Sequence, residues 1–175
     1  FFKFNMMIYT SGVVATISSV VRRVTSVGDN VIVQAPCYNI FYNSIVNNQR
    51  VVLSNDLQII NGRYAVDFDD LERKMSDEKT TLMILCNPHN PIGHIWSIED
   101  LDRIGRLAYK YHVLVLSDEI HCDITEPGKD YVPFASVSKE CRDISVTMIS
   151  PAKTFNLAGL QIYYLINFFQ NTDRK

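Results

Sequence analysis

The hydrophobic positions change period along the chain, and the change separates helices from strands. Between about Gly12 and Thr25, Val13, Val14, Ile17, Val20, Val21 and Val24 recur at three- and four-residue steps beside Arg22 and Arg23. That spacing predicts an amphipathic helix, ended by Gly28-Asp29. Asn30 to Ala35 (NVIVQA) is a β-branched run closed by Pro36, which predicts a buried strand followed by a loop. A helix from Ile40 to Asn48, a strand from Val51 to Leu53 and a turn at Asn61-Gly62 come next. Asp67 is placed to cap a helix running through Met75, with Asp69 and Asp70 in its first turn, where negative charge complements the helix dipole.

From Leu82 the pattern sharpens. LMILC reads as a buried strand running into the Pro- and Gly-punctuated loop Asn87-Pro88-His89-Asn90-Pro91-Ile92-Gly93. Ser97 and Asp100 form a capping-box-like start for a helix to about Tyr111. Val113 to Leu116 is the next strand, leading into Ser117-Asp118-Glu119. After a loop containing Pro127-Gly128, Ile144 to Ile149 is a further strand, ending at Ser150-Pro151-Ala152-Lys153. There is no internal repeat and no low-complexity linker. Strands alternating with helices predict an α/β fold, a mostly parallel sheet sandwiched by helices. In such sheets ligands bind outside the carboxyl ends of the strands, and the polar clusters after Cys86, Leu116 and Ile149 all fall there.

Composition narrows the classes. The chain has 175 residues, 47% of them hydrophobic, enough for one domain or one large lobe. A formal net charge of −2 without a run of Lys or Arg gives no footprint for nucleic acid and little for an anionic membrane. No apolar stretch reaches the roughly 18 residues of a membrane span; the segment from Leu157 to Phe169 is interrupted by Gln161 and Asn167. The start, Phe1 to Tyr9, is apolar and lacks both an initiating Met and a signal-peptide cleavage site, so the expectation is a chain that has lost its natural beginning. Cys37, Cys86, Cys122 and Cys141 form no C-x-x-C pair and read as reduced thiols of a cytoplasmic protein, with Cys122 buried.

Two strand-end residues carry the candidate chemistry. A lysine held in a partly desolvated pocket has a lowered pKa suited to Schiff-base chemistry, and Lys153 follows a strand directly. Asp118 closes another strand, where a carboxylate can pair with the ring nitrogen of pyridoxal phosphate and keep it protonated. Read singly, Lys153 fits a surface turn better, and Asp118 a helix cap or ion pair. Ser150-x-x-Lys153 also fits the S-x-x-K of penicillin-binding enzymes, but their S-D-N and K-T-G partners are missing. Glu119, His121, Cys122 and Asp123 lack metal-ligand spacing, so no metal site is expected. His89 and His94 read as solvated loop histidines, and His112 as a helix-terminal one.

Three segments, 84–93 (ILCNPHNPIG), 116–123 (LSDEIHCD) and 150–161 (SPAKTFNLAGLQ), together resemble the class I/II aminotransferase superfamily. Within it they look most like the MalY/PatB-like cystathionine β-lyase (carbon–sulfur lyase) branch. The order N-P-x-G, D-E-x-H, S-P-x-K is specific, and the resemblance extends from about Tyr9 to Gln161. It implies the large domain of a fold type I enzyme dependent on pyridoxal 5′-phosphate. Lys153 would bond to the cofactor and shuttle the α-proton, Asp118 would hold the pyridine nitrogen, and Asn90 and His121 would contact the phenolic oxygen. Tyr38 would stack on the ring, while Gly12, Val13, Val14 and Ser150 would cradle the phosphate. The implied reaction is β-elimination from cystathionine- or cysteine-type amino acids to pyruvate, ammonia and a thiol. The alternatives are an aminotransferase, or a truncated, non-catalytic large domain. Ala152 stands where relatives often have Ser, and Gln161 where many aminotransferases have a phosphate-binding Arg. The resemblance also implies a homodimer, a large domain that is partial over 1–175, and a missing small C-terminal domain with its carboxylate-gripping Arg.

Overall fold

The computed structural model describes residues 7–167. Its centre is a seven-stranded sheet built from β1 (Met7–Thr10), β2 (Asn30–Ala35), β3 (Val51–Asp56), β6 (Thr80–Cys86), β7 (Leu114–Asp118), β8 (Ser145–Ile149) and β9 (Tyr163–Asn167). The strands lie in the order β1-β9-β8-β7-β6-β2-β3. From β3 to β8 all pairings are parallel, while β9 runs antiparallel to both β8 and β1. A separate hairpin, β4 (Gln58–Ile60) and β5 (Arg63–Ala65), turns at Asn61-Gly62, where both residues have the positive φ that a tight hairpin demands.

Helices cover both faces, and the two-residue period of the strands decides what meets what. On one face Val31, Val33, Leu82, Ile84, Leu114 and Leu116 pack against Ile17, Val20 and Val21 of α1 (Val13–Val24) and Phe41 and Ile45 of α2 (Asn39–Val46). On the other, Ile32, Met83, Leu85 and Val115 meet Leu71 and Met75 of α3 (Phe68–Met75) and Leu101, Ile104 and Ala108 of α4 (Ile98–Tyr111). Each fully buried aliphatic side chain contributes on the order of 1.5–3 kcal/mol, so the central strands are held from both sides.

Local signals set the helix ends. Asp67 accepts from the Asp70 N–H and Ser97 from the Asp100 N–H, as their spacing predicts. His112 ends α4 in a left-handed conformation, φ 58°, a position that favours residues tolerant of αL. The predicted strands and the helices α1 to α4 are all present, with shifted ends: the second helix covers Asn39–Val46, the following strand runs to Asp56, and β7 runs on to Asp118. Between Pro127-Gly128 and β8 lie two short helices that periodicity did not predict, α5 (Phe134–Val137) and α6 (Lys139–Asp143). At four and five residues they are too short to show a helical period, and buried Phe134 and Cys141 hold them against the sheet. The strands β1 and β9 were likewise not predicted.

Candidate active site

The carboxyl ends of β6 and β7 and the turns after β8 surround a small cavity of about 100 Å³. Tyr38, Cys86, Asn90, Asp118, Ile120, His121 and Lys153 line it. Five residues singled out from sequence, Tyr38, Asn90, Asp118, His121 and Lys153, therefore meet in one place although the first and last lie 115 positions apart. Gly12, Val13, Val14 and Ser150 are not among its lining residues. Cys86 and Ile120 are, although along the sequence they stand only at a strand end and in a loop.

The floor is Asp118, 3% exposed, whose Oδ1 accepts from the Ile120 N–H at 3.4 Å. Burial pushes its carboxyl up to about 7; the Ile120 amide opposes this, the adjacent Glu119 adds to it and the charge of Lys153 counters it. Glu119, next in sequence, points to the opposite face of the sheet. There it accepts from the Ser117 hydroxyl at 2.8 Å, the Phe134 N–H at 3.0 Å and the Tyr131 hydroxyl. The strand period thus gives two adjacent acids different tasks: Asp118 faces the cavity, and Glu119 latches the segment that returns after the His121 loop.

Asn90 sits on a firmly tied turn. The Asn87 N–H donates to the Asp118 carbonyl at 3.0 Å, the Trp96 indole donates to the Cys86 carbonyl at 3.0 Å, and the Trp96 N–H donates to Asn87 Oδ1 at 3.2 Å. His121 is half-buried; burial lowers its pKa, as does the charge of Lys153, with the Pro88 carbonyl opposing. Tyr38 is partly exposed and meets Phe41 edge-on, ring centroids 6.0 Å apart.

Three expectations need correction. Lys153 is exposed rather than desolvated, because the irregular turns after β8 run along the cavity rim with Phe155 and Leu160 also exposed. His89 is not solvated: it is 2% exposed, both ring nitrogens lack hydrogen-bond partners among the described residues, and its ring centroid lies 5.7 Å from that of Trp96. Burial, reinforced by nearby His94, lowers its pKa to about 4. Cys122 is half-buried, since the loop after β7 leaves the core there. The Ser150 hydroxyl donates to the Ile162 carbonyl at 2.6 Å and accepts from the Ala152 N–H at 3.0 Å, tying the Lys153 turn to the segment entering β9. No side chain caps α1, whose first turn starts after Gly12.

A wider cleft of about 810 Å³ adjoins the cavity and shares Asn90 and His121 with it. Arg63 and Tyr64 of the β4–β5 hairpin form one side, and Glu126 and Lys129 another. Among the described residues no three His, Cys, Asp or Glu side chains are grouped to hold a metal, and no helix is long and apolar enough to cross a membrane.

The chain is 49% identical over 158 residues to cystathionine beta-lyase PatB of Bacillus subtilis, an overlap covering 90% of this chain and 41% of PatB. Its fold superposes on cystalysin of Treponema denticola, whose crystal structure contains pyridoxal 5′-phosphate, with a TM-score of 0.93 and 33% identity over 97% of this chain and 43% of that one. The PLP-bound C-S lyase of Staphylococcus hominis gives 0.92 and 32%, over 97% and 43%. The chain spans about two-fifths of the length of these relatives. The family model for aminotransferase class I and II matches residues 3–166, across all three strand-end motifs. By that match and by its likeness to PatB, this chain belongs to the class I and II aminotransferase family.

Proposed function

We propose that the protein is a pyridoxal-phosphate-dependent carbon–sulfur β-lyase, acting on cystathionine- or cysteine-type amino acids to release pyruvate, ammonia and a thiol. The observation that carries the reading is the meeting of Lys153, Asp118, Asn90, His121 and Tyr38 on one cavity at the strand ends. The donor set fits the cofactor. Asp118 is a buried carboxyl without a cationic hydrogen-bond partner among the described residues, and a protonated pyridine nitrogen would supply one. The uncapped first turn of α1, at Gly12, Val13 and Val14, suits a phosphate dianion.

When bound, pyridoxal phosphate supplies an electron sink for the pair released at the substrate's α-carbon. The chain's residues would do the rest. Lys153 would hold the cofactor covalently, and its Nζ would take the substrate's α-proton. Asp118, as carboxylate, keeps the ring nitrogen protonated, while Asn90 and His121 stabilise the phenolic oxygen. Tyr38 shields one ring face from water. Ser150 contributes by fixing the Lys153 turn through Ile162, and a phosphate contact from its hydroxyl would require that bond to be exchanged.

We also propose a homodimer in the cytoplasm. Support for assembly is the exposure of Ile8 and Tyr9 on the edge strand β1 and of Phe155 and Leu160 in the segment before β9. Support for the compartment is that all four cysteines are free. The test is to incubate the full-length protein, loaded with pyridoxal phosphate, with cystathionine and no added keto acid. Pyruvate formation that is lost in Lys153→Ala is the expected result. Amino-group transfer that depends on an added keto acid would instead make the protein an aminotransferase.

A further inference from the structure

We propose that Cys86 is a positioning residue for Asn90, its thiol pinning the turn after β6 so that Asn90 stays on the cavity wall. Cys86 is the last residue of β6, 3% exposed, and the strand partner of Asp118. Its Sγ–H donates to the Pro88 carbonyl at 3.3 Å, and its Sγ accepts from the Asn90 N–H at 3.5 Å. One side chain therefore bridges two points of the turn, and the second is the backbone of the residue it serves. The rest of the turn is held by Trp96 and Asp118 through Cys86 O and Asn87, and by the backbone bonds from His89 N–H to the His94 carbonyl and from Gly93 N–H to the His89 carbonyl. Nothing in that set reaches Asn90 itself; the thiol does.

The chemistry suits a pin rather than a nucleophile. Burial and then the neighbouring Asp118 push the thiol's pKa well up, so sulfur keeps its proton and remains a donor. One side-chain atom makes both contacts, as a weak donor to the Pro88 carbonyl and a weak acceptor from the Asn90 N–H. The side chain also fills the cavity floor between Asp118 and Asn90 without adding charge.

This rests on the cofactor reading above, and the test separates the two. In the loaded full-length protein, a hydrogen bond from Asn90 to the cofactor's phenolic oxygen favours the deprotonated form. It thereby lowers the pH midpoint of the visible absorbance transition. Asn90→Ala should raise that midpoint by about one to two units. Cys86→Ala should raise it in the same direction by about half a unit to one unit, and Cys86→Ser, which restores donor and acceptor, should return it toward the wild-type value. The double variant Cys86→Ala/Asn90→Ala should not exceed Asn90→Ala. A Cys86→Ala protein that melts earlier but titrates like wild type has lost packing only, and overturns the proposal; so does full additivity with Asn90→Ala, or an unmoved midpoint in Asn90→Ala. A wild-type protein with no cofactor band rejects the cofactor reading instead. The pin is then decided by hydrogen exchange at the Asn90 amide, which should quicken in Cys86→Ala and not in Cys86→Ser. Equal exchange in all three overturns it.

Discussion

Gly105 lies mid-way along α4 on its buried face, and a β-carbon built there would stand 2.2 Å from the Cys141 Sγ, with the Cys141 Cα and Cβ at 3.4 Å. In an unobstructed helix, Gly→Ala gains about 1 kcal/mol. Here the sulfur must move, yet Cys141 is fully buried and has one side-chain torsion to move with. Overpacking of this kind costs about 1–3 kcal/mol, and a contact so far inside van der Waals range belongs at the upper end. Gly105→Ala should therefore destabilise the protein by about 1–2 kcal/mol net. Cys141→Ala removes the sulfur and leaves only the 3.4 Å neighbours, an acceptable contact. In that background Gly105→Ala should become stabilising by up to about 1 kcal/mol, a coupling of about 2–3 kcal/mol. The assay is urea unfolding of the four proteins, comparing midpoints at constant m. An equal loss in both backgrounds, or a gain in the wild-type background, would refute the steric account. Because α4 and α6 together buttress β7 and β8, the strands that lead to Asp118 and Lys153, the same variants report how firmly the cavity floor is supported.

Two further predictions concern pH in the cofactor-free protein. Asp118 has a folded pKa of about 7 against an ordinary 3.8. Its stabilising effect is thus complete below pH 4 and disappears as pH rises through 7, so Asp118→Asn should be more stable than wild type at pH 8 by a few kcal/mol and equal to it near pH 4; a gap independent of pH would contradict this. His89 shows the opposite sign, its pKa being held near 4 against an ordinary 6.5. Stability present above pH 6.5 should fall as the pH drops toward 4, and His89→Phe, which removes two unpartnered ring nitrogens, should flatten thermal-melt values over that window; an unchanged slope would show that other groups set the acid response.

Much of this architecture was readable along the chain because its signals are local. NVIVQA and LMILC are β-branched or aliphatic runs long enough to mark buried strands, and Asp67 and Ser97 cap helices through groups three residues away. The unpredicted strands β1 (MIYT) and β9 (YYLIN) have no such isolation. They exist because they pair with each other, and β9 also with β8, across more than 150 residues of sequence in the first case. The short helices α5 and α6 likewise depend on packing of Phe134 and Cys141 against the sheet.

The site divides in the same way. Strand-end position pointed to Lys153 and Asp118, and the family resemblance added Asn90, His121 and Tyr38. Which way each side chain turns was a tertiary matter. Strand alternation and the pairing of β6 with β7 put Cys86 and Asp118 side by side on the cavity face, while Glu119 was sent to the other face to hold Tyr131 and Phe134. Trp96 folding back over the turn buried His89, a residue that composition would leave in water. The linear sequence therefore determined the chemical groups and the elements that carry them, because propensity, period and capping act over a few residues. Only the folded structure decided burial, partners and protonation, because these depend on what distant segments bring to the same few ångströms.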